Sequence, residues 1–457
     1  MGLRNQGFVG SSNSHPLNYR TLEPSGRDLL SRYAKQVLMP KLSMKGYEVL
    51  RNRNYRLFWI GQWISLVGTW MQSVTQAWLL TRLTGSPLAL GLLGAASSAP
   101  LLLLVLVGGL VSDRINRRWL IIITQSLSLT QALVLSLLTL SGIVQPWHII
   151  AMAAVLGAIN AFDVPARQAF VPELVGPDQL PNAIALNSTG FNVARVAGPA
   201  VAGFLVAAFG EGICFLVNAV SYLAVLWGLW LIAPNPMAAT QVKARDRAAL
   251  RDGLRYASRR PELRWILGLV GVVSSVAVSY RVFLPAMAQS VLHVGAWRYG
   301  LLMAAAGVGA GTGGFVLAGL RLRRDTYRLL LPIALIEFAV ALGAFALSGS
   351  YAVSLVLLGA VGCGGILYFN ASNTLVQLSV EDAYRGRVMS LYTLMHQGTA
   401  TFGSLLLGLA ANRYGTPAAL LAGAAVCLVA VAVFVVRPST RVGVTERAVS
   451  EAADQVP

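Results

Sequence analysis

A carboxylate stands where hydrocarbon is expected: Glu337, between Ile336 and Phe338 in a long apolar run. An ionised group at such a place costs on the order of 3 kcal/mol on insertion scales. A carboxyl there suits proton exchange or the holding of a cationic substrate, with a structural partner within the bundle as the equal alternative. Asp163 and His396 are the other proton-coupling candidates in apolar surroundings; an unperturbed imidazole titrates in the physiological range. Two guanidiniums, Arg195 and Arg281, also interrupt apolar runs. Each can grip a carboxylate or catecholate through planar, bidentate contacts, or pair internally with Glu337 or Asp163.

Neutral polar residues form the second kind of pattern. Gln62, Ser65, Thr69, Gln72 and Gln76 step by three and four through a stretch that contains Trp59, Trp63, Trp70 and Trp78 and is uncharged between Arg56 and Arg82. That spacing is one edge of a helix of membrane length. Within a bilayer an amide finds partners only in protein or trapped water, so the edge faces either a wet cavity or neighbouring helices. The cavity is the expectation, and Gln62, Thr69, Gln72 and Gln76 are taken as its lining, with Asn160, Arg195, Arg281 and Gln397. A similar stripe holds Ser390, Thr393, Gln397, Thr401 and Ser404. Asn160, Asp163 and Arg167 share a helix face, and Asp163 with Arg167 is a favourable i,i+4 pair, read as a gate on the inner side.

His148, His293 and His396 are scattered, and neither a metal-ligand cluster, a nucleophile with its base nor a nucleotide loop is recognisable. No metal, no cofactor and no enzymatic activity are expected. Cys214, Cys363 and Cys427 all fall in apolar runs without paired spacing, as small core residues do.

These groups need spans to carry them. The chain has 457 residues, 56% hydrophobic and only 12% charged, against about 25% charge in an ordinary soluble domain. The composition is that of an integral membrane protein. Apolar runs of spanning length (roughly 20 residues) fall near 55–80, 88–111, 119–140, 147–164, 184–209 and 213–232, then 265–289, 299–320, 329–347, 351–373, 390–411 and 416–436. The net charge of +18 is not a nucleic-acid footprint, because it is concentrated in every second loop. Arg114, Arg117 and Arg118, then Arg167, the stretch from Lys243 to Arg264, Arg321 to Arg328, and Arg385 with Arg387 lie on one side. By the positive-inside rule that side, with both termini, is cytoplasmic, in a bacterial-type inner membrane.

The expected organisation is a basic tail (1–50), a six-helix bundle (51–235), a linker (236–264), a second six-helix bundle (265–437) and a short tail (438–457). The tail's Leu29, Leu30, Tyr33, Val37 and Leu38 make a short apolar face suited to the membrane surface. The linker's basic stretch, with Leu250, Leu254 and Ala257 on one side, is suited to lying under an anionic leaflet. The halves echo each other: Gly198, Gly203 and Gly210 repeat as Gly403, Gly408 and Gly415, and GLLGAA from Gly91 resembles GLLMAA from Gly300. Gly198, Pro199 and Gly203 mark close helix packing. Parallel repeats of this kind belong to two-bundle transporters.

Gly109-Leu-Val-Ser-Asp113-Arg114-Ile-Asn-Arg117-Arg118 resembles the G-x-x-x-D-R-x-x-R-R signature of the major facilitator superfamily. Gly109 permits close packing, Asp113 can pair with Arg117, and the cluster, with Arg114 and Arg118, serves as a latch between bundles. NYRLFWIGQWISLVGTWMQ, LTGSPLALGLL, AFDVPARQAFVPELV, NAIALNSTGFNVARVAGPAVAG and YRGRVMSLYTL extend the resemblance, over roughly 50 to 437, to the branch holding the enterobactin exporter and related secretion-type transporters. The resemblance implies an all-α integral membrane fold of twelve transmembrane helices in two pseudo-symmetric six-helix bundles. It also implies alternating access and, commonly, export of an amphipathic small molecule such as a siderophore or drug in exchange for protons. An importer or lipid carrier is the alternative within the superfamily, and a non-transporting sensor or scaffold the alternative outside it. The implied partners are a small-molecule substrate, protons and the lipid bilayer, with no nucleic acid, the protein acting as a monomer. Two departures stand out. Ala153 occupies the place, before Gly157, of an arginine common in drug–proton antiporters, and the loop Gly319 to Arg324 lacks the signature acid.

Overall fold

The computed structural model describes residues 44–232, 247–277, 279–320 and 322–436. The two tails and most of the linker's first half, with the apolar face near Leu29, lie outside them. Among the described residues there is no strand. A short 3-10 turn, Met44–Arg51, leads into α1 (Arg53–Thr84), α2 (Pro87–Arg114), α3 (Arg117–Leu140), α4 (Pro146–Phe209) and α5 (Glu211–Leu231). The linker helix is α6 (Arg247–Arg259). The second half follows as α7 (Pro261–Ala277), α8 (Tyr280–Ser290), α9 (Ala296–Gly319), α10 (Arg324–Leu347) and α11 (Tyr351–Ser379). Then come α12 (Asp382–Thr393), a π-helical turn Leu394–Gly398, α13 (Thr399–Tyr414) and α14 (Thr416–Val436).

Among the described residues, nine stretches have the length and apolarity of a span, and the path of the chain gives twelve crossings. The continuous α4 covers two, because it reverses at Gly176, whose φ of 74° ahead of Pro177 is open to glycine alone at low cost. The first span, α1, is too polar to qualify by composition, since it carries the amide stripe and three arginines. The eleventh is broken into α12, the π turn and α13. Asn52 caps α1 by accepting the Tyr55 N–H, and Asn116 caps α3 by accepting that of Trp119. These caps set the basic ends of two spans.

Each half forms a body. In the first, α1 packs on α4 and α5, α2 on α4, and α3 on α4 and α5; in the second, α9 and α10 pack on α11, and α14 on α10. The glycine echo in the sequence is an echo in space. Gly198 places its bare Cα against Trp70 of the first span, and Gly403 places its own against Ser275 of the seventh. Gly203 meets Gly300 and Gly408 meets Gly91, each pair joining the two bodies. Both pairs lie at the short-loop end, where Gly85, Gly210 and Gly415 turn the chain with positive φ. The architecture is two six-helix bodies of one pattern, seamed along the fifth and eighth and along the second and eleventh spans.

Candidate functional site

The basic end of the first body is tied by specific side chains. Arg117 pairs with Glu173, near the end of the fourth span's arm. Arg118 donates to the Leu229 and Trp230 carbonyls, and Arg53 to that of Leu231. Cations thus sit on the negative C-terminus of α5. Arg117 has Glu173 as its described ion-pair partner, and the latch read from the sequence needs one correction: the close-packing glycine is Gly108. A Cβ on Gly108 would come within 2.7 Å of the Ala161 carbonyl carbon, while one on Gly109 meets nothing within 4 Å. Asp113 and the exposed Arg114 occupy the last turn of α2.

Asp163 is 1% exposed. Its Oδ1 accepts from Thr124 Oγ1 (2.7 Å) and Gln125 Nε2 (3.0 Å), and its Oδ2 pairs with Arg167 (2.5 Å). A buried carboxylate so fully partnered holds the third span to the fourth. The pair lies within one body and crosses no seam, so it is not a gate between the bodies. Asn160, half-buried, takes no part in the knot.

The amide stripe also points into the first body. Gln72 is 0% exposed. It donates to Gln131 Oε1 (3.0 Å) in α3 and accepts from Asn218 Nδ2 (2.6 Å) in α5. Thr69 reaches Ser65 O (2.9 Å) and the Tyr222 hydroxyl (3.3 Å). Gln76 is buried, and Gln62 has both amide atoms out of solvent. Thr69 and Gln72 join the first span to the third and sixth, and Gln76 is buried, which corrects the expectation that these three line a cavity. The partners had a visible signal: Thr124, Gln125, Ser128 and Gln131 form a polar edge on the third span under the same rule.

The second body has its own lattice. Glu262, opening α7, receives Arg324 (2.9 Å) and Arg328 (2.7 Å) from the ninth span. The acid absent from the loop after span eight is therefore supplied by another segment. Arg260 pairs with Glu381 after α11. The linker helix α6 lies on this lattice rather than free beneath a leaflet. Tyr256 stacks on Tyr384 at 4.2 Å, Gly253 abuts Arg387, and Ala257 is buried while Leu254 stays exposed.

Between the bodies the seams run from the short-loop end only part of the way. On one side they pass through Gly203 against Gly300 to Gly307, which meets Val196 and the Arg195 carbonyl. On the other they pass from Gly91 against Gly408, through Thr401 donating to Ser98 Oγ (2.8 Å), to Gly398 against Leu102. Towards the basic end the tight glycine contacts fall inside the bodies, as with Gly313 on Cys363 and Gly108 on Ala161. There Ser188, Asn192, Phe191, Thr393 and Gln397 are exposed.

At the depth where the seams stop lie Arg195, Arg281 and His396. All three are half-buried. His396 sits on the π turn, its Nδ1 3.1 Å from Ser274 Oγ and its ring against Phe369 at 4.2 Å. A π turn widens a helix and is often found at functional sites. Arg281 has Tyr280 as its cation–π neighbour at 5.8 Å. Neither arginine has an ion pair or hydrogen bond among the described residues, so internal pairing with Glu337 or Asp163 is set aside. Glu337 lies elsewhere. Its carboxyl rests in the slot made by Gly364 of the tenth span, and its Oε2 is buried without a hydrogen-bond partner. The large apolar groove of about 650 Å³ between α7 and α14 is remote from these groups.

Residues 44–456 match the family described as transmembrane secretion effector. The chain is 25% identical over 378 residues to the staphyloferrin A transporter of Staphylococcus aureus, covering 79% of this chain and 90% of that protein. It is 25% identical over 362 residues to the enterobactin exporter EntS of Citrobacter koseri, covering 78% and 84%. Two solved structures share the fold. The nucleoside transporter NupG aligns with a TM-score of 0.66 at 12% identity, over 84% of this chain and 98% of that one. A bacterial homologue of the human lysosomal transporter Spinster, captured inward-facing and occupied, aligns at 0.67 and 16%, over 83% and 96%. The chain belongs to the transmembrane secretion effector family of the major facilitator superfamily, and it is a multi-pass membrane transporter.

Proposed function

We propose that this protein is a proton-coupled exporter of an amphipathic small molecule, such as a siderophore, working by alternating access. The observation that carries the reading is the one-sided seam. Gly203 on Gly300 and Gly408 on Gly91 close the two bodies together at the short-loop end, and Ser188, Asn192, Thr393 and Gln397 are exposed towards the basic end. With the basic loops on the cytoplasmic side, this is a chamber open inward, in a bacterial-type inner membrane, within a monomer whose termini are cytoplasmic. The relatives named for staphyloferrin A and enterobactin favour a siderophore over a nutrient. Glu337 is the coupling group, since a carboxyl with one oxygen buried and without a hydrogen-bond partner gains or loses a proton with little rearrangement of its neighbours. Asp163, fully bonded, is a structural anion, and His396 on its π turn is the second proton-passing group.

The test is substrate flux in inverted membrane vesicles with an imposed proton gradient. Uptake driven by an acidic lumen establishes export, and uptake only with the opposite gradient makes the protein an importer. Glu337→Gln is expected to abolish the pH-driven component, and coupling that persists in it removes Glu337 from the mechanism. Absence of flux in either gradient favours a non-transporting sensor or scaffold over an exporter.

A further inference from the structure

Resting on that transport reading, we infer that the transported molecule carries at least two anionic groups and bridges Arg195 and Arg281, one guanidinium from each body. The inference starts from an imbalance of charge. Guanidiniums cannot shed their protons at any ordinary pH, and at mid-membrane depth they normally find a carboxylate or a ring of carbonyls. Among the described residues these two have neither, and they carry like charge on opposite bodies. The acids within reach of the same depth are engaged elsewhere: Asp163 by Arg167, Thr124 and Gln125, Glu337 in the slot of Gly364. His396 adds no negative charge, since an imidazole is neutral or cationic.

The place of the two side chains gives the imbalance a purpose. Arg195 belongs to the fifth span and its backbone touches Gly307 of the eighth, so it stands at the last contact of one seam. Arg281 lies at the start of α8, beside the other seam, where Ser279 donates to the Ala400 carbonyl. Like charges on opposite bodies hold the basic end apart. A ligand with two anionic groups replaces repulsion by attraction on both sides, and so favours the state in which the bodies approach at that end. A ligand shifts such an equilibrium only by binding one state better than the other, and a bridging anion does so by construction. The exposed Phe191, one turn before Arg195 and packed on Trp70 at 5.7 Å, offers an apolar wall for the rest of the molecule. An organic cation, by contrast, meets two positive charges and is excluded, which separates this protein from transporters of cationic drugs.

The experiment uses two dyes of related ring system and opposite charge, carboxyfluorescein and rhodamine 6G, with the purified full-length protein. Fluorescence anisotropy in detergent reads binding, and dye flux in proteoliposomes under a proton gradient reads transport. Carboxyfluorescein is expected to bind, with affinity falling at least tenfold in Arg195→Gln and in Arg281→Gln and by less in the lysine variants. Rhodamine 6G is expected not to bind. Preference for rhodamine 6G, no binding of carboxyfluorescein, or arginine variants that bind it unchanged while eluting as folded monomers, each overturns the bridge. Flux of rhodamine 6G with the arginines irrelevant leaves the transport reading standing without the bridge. Tight, arginine-dependent binding of carboxyfluorescein with no flux in either gradient does the reverse.

Discussion

Gly300 is the position at which one added carbon most directly tests the seam. A Cβ there would lie 2.6 Å from the Pro199 carbonyl oxygen, 2.8 Å from the Gly203 Cα and 3.1 Å from the Gly203 nitrogen. All three are backbone atoms, so no side-chain rotation relieves the overlap. A carbon–oxygen contact settles near 3.3 Å, which asks α9 and the far arm of α4 to part by roughly 0.7 Å. Overpacking of this kind costs about 1–3 kcal/mol. Because the overlap exists only while the short-loop end is closed, the cost falls on that state alone and shifts the equilibrium by roughly 5- to 150-fold. The assay is a spin-label distance between Phe209→Cys and Tyr414→Cys, exposed residues at the short-loop end of the two bodies, in a background without Cys214, Cys363 and Cys427. Gly300→Ala is expected to add a longer-distance population. Gly311→Ala, on the same helix but with nothing within 4 Å of its Cβ, is expected to leave the distribution alone and to stabilise α9 by up to about 1 kcal/mol. If the Gly300→Ala distribution superimposes on that of the unsubstituted protein, or if Gly311→Ala shifts it equally, the seam is not what closes this end.

Further tests follow from single contacts. Gly108→Ala is expected to lower the Tm of the detergent-solubilised protein while Gly109→Ala leaves it unchanged, since only Gly108 abuts Ala161; the reverse order would restore the signature glycine as the packing residue. Gln72→Leu strands the Gln131 and Asn218 amides at about 1–3 kcal/mol, so it is expected to lower Tm with KM unchanged. A raised KM at constant Tm would return the stripe to the chamber wall. Tyr256→Ala removes a ring stack worth about 0.5–1.5 kcal/mol and is expected to speed tryptic cleavage within α6. Arg260→Ala is expected to do so much less, because its pair with Glu381 is solvent-exposed.

Sequence alone determined the parts of this protein that depend on solvent. Span lengths, the basic sides of alternate loops and the doubled glycine pattern follow from what hydrocarbon, headgroups and close-packed helices tolerate, and those constraints are local to each helix. Arg195, Arg281 and His396 of the site, and Glu337 apart from it, are visible as titratable groups in apolar runs for the same reason. What each faces was not. A helix's polar edge at period 3.6 is the same string whether it meets water or another amide, and only the packing of α1 on α3 and α5 assigned Gln72 to Gln131 and Asn218. Likewise Glu173 and Glu262 are unremarkable acids in sequence, tens of residues from the arginines they hold. Pairing across such separations is decided by which helix ends the fold brings together. That Arg195 and Arg281 have no ion pair among the described residues is of the same origin, since pairing is a property of the neighbourhood and not of the residue.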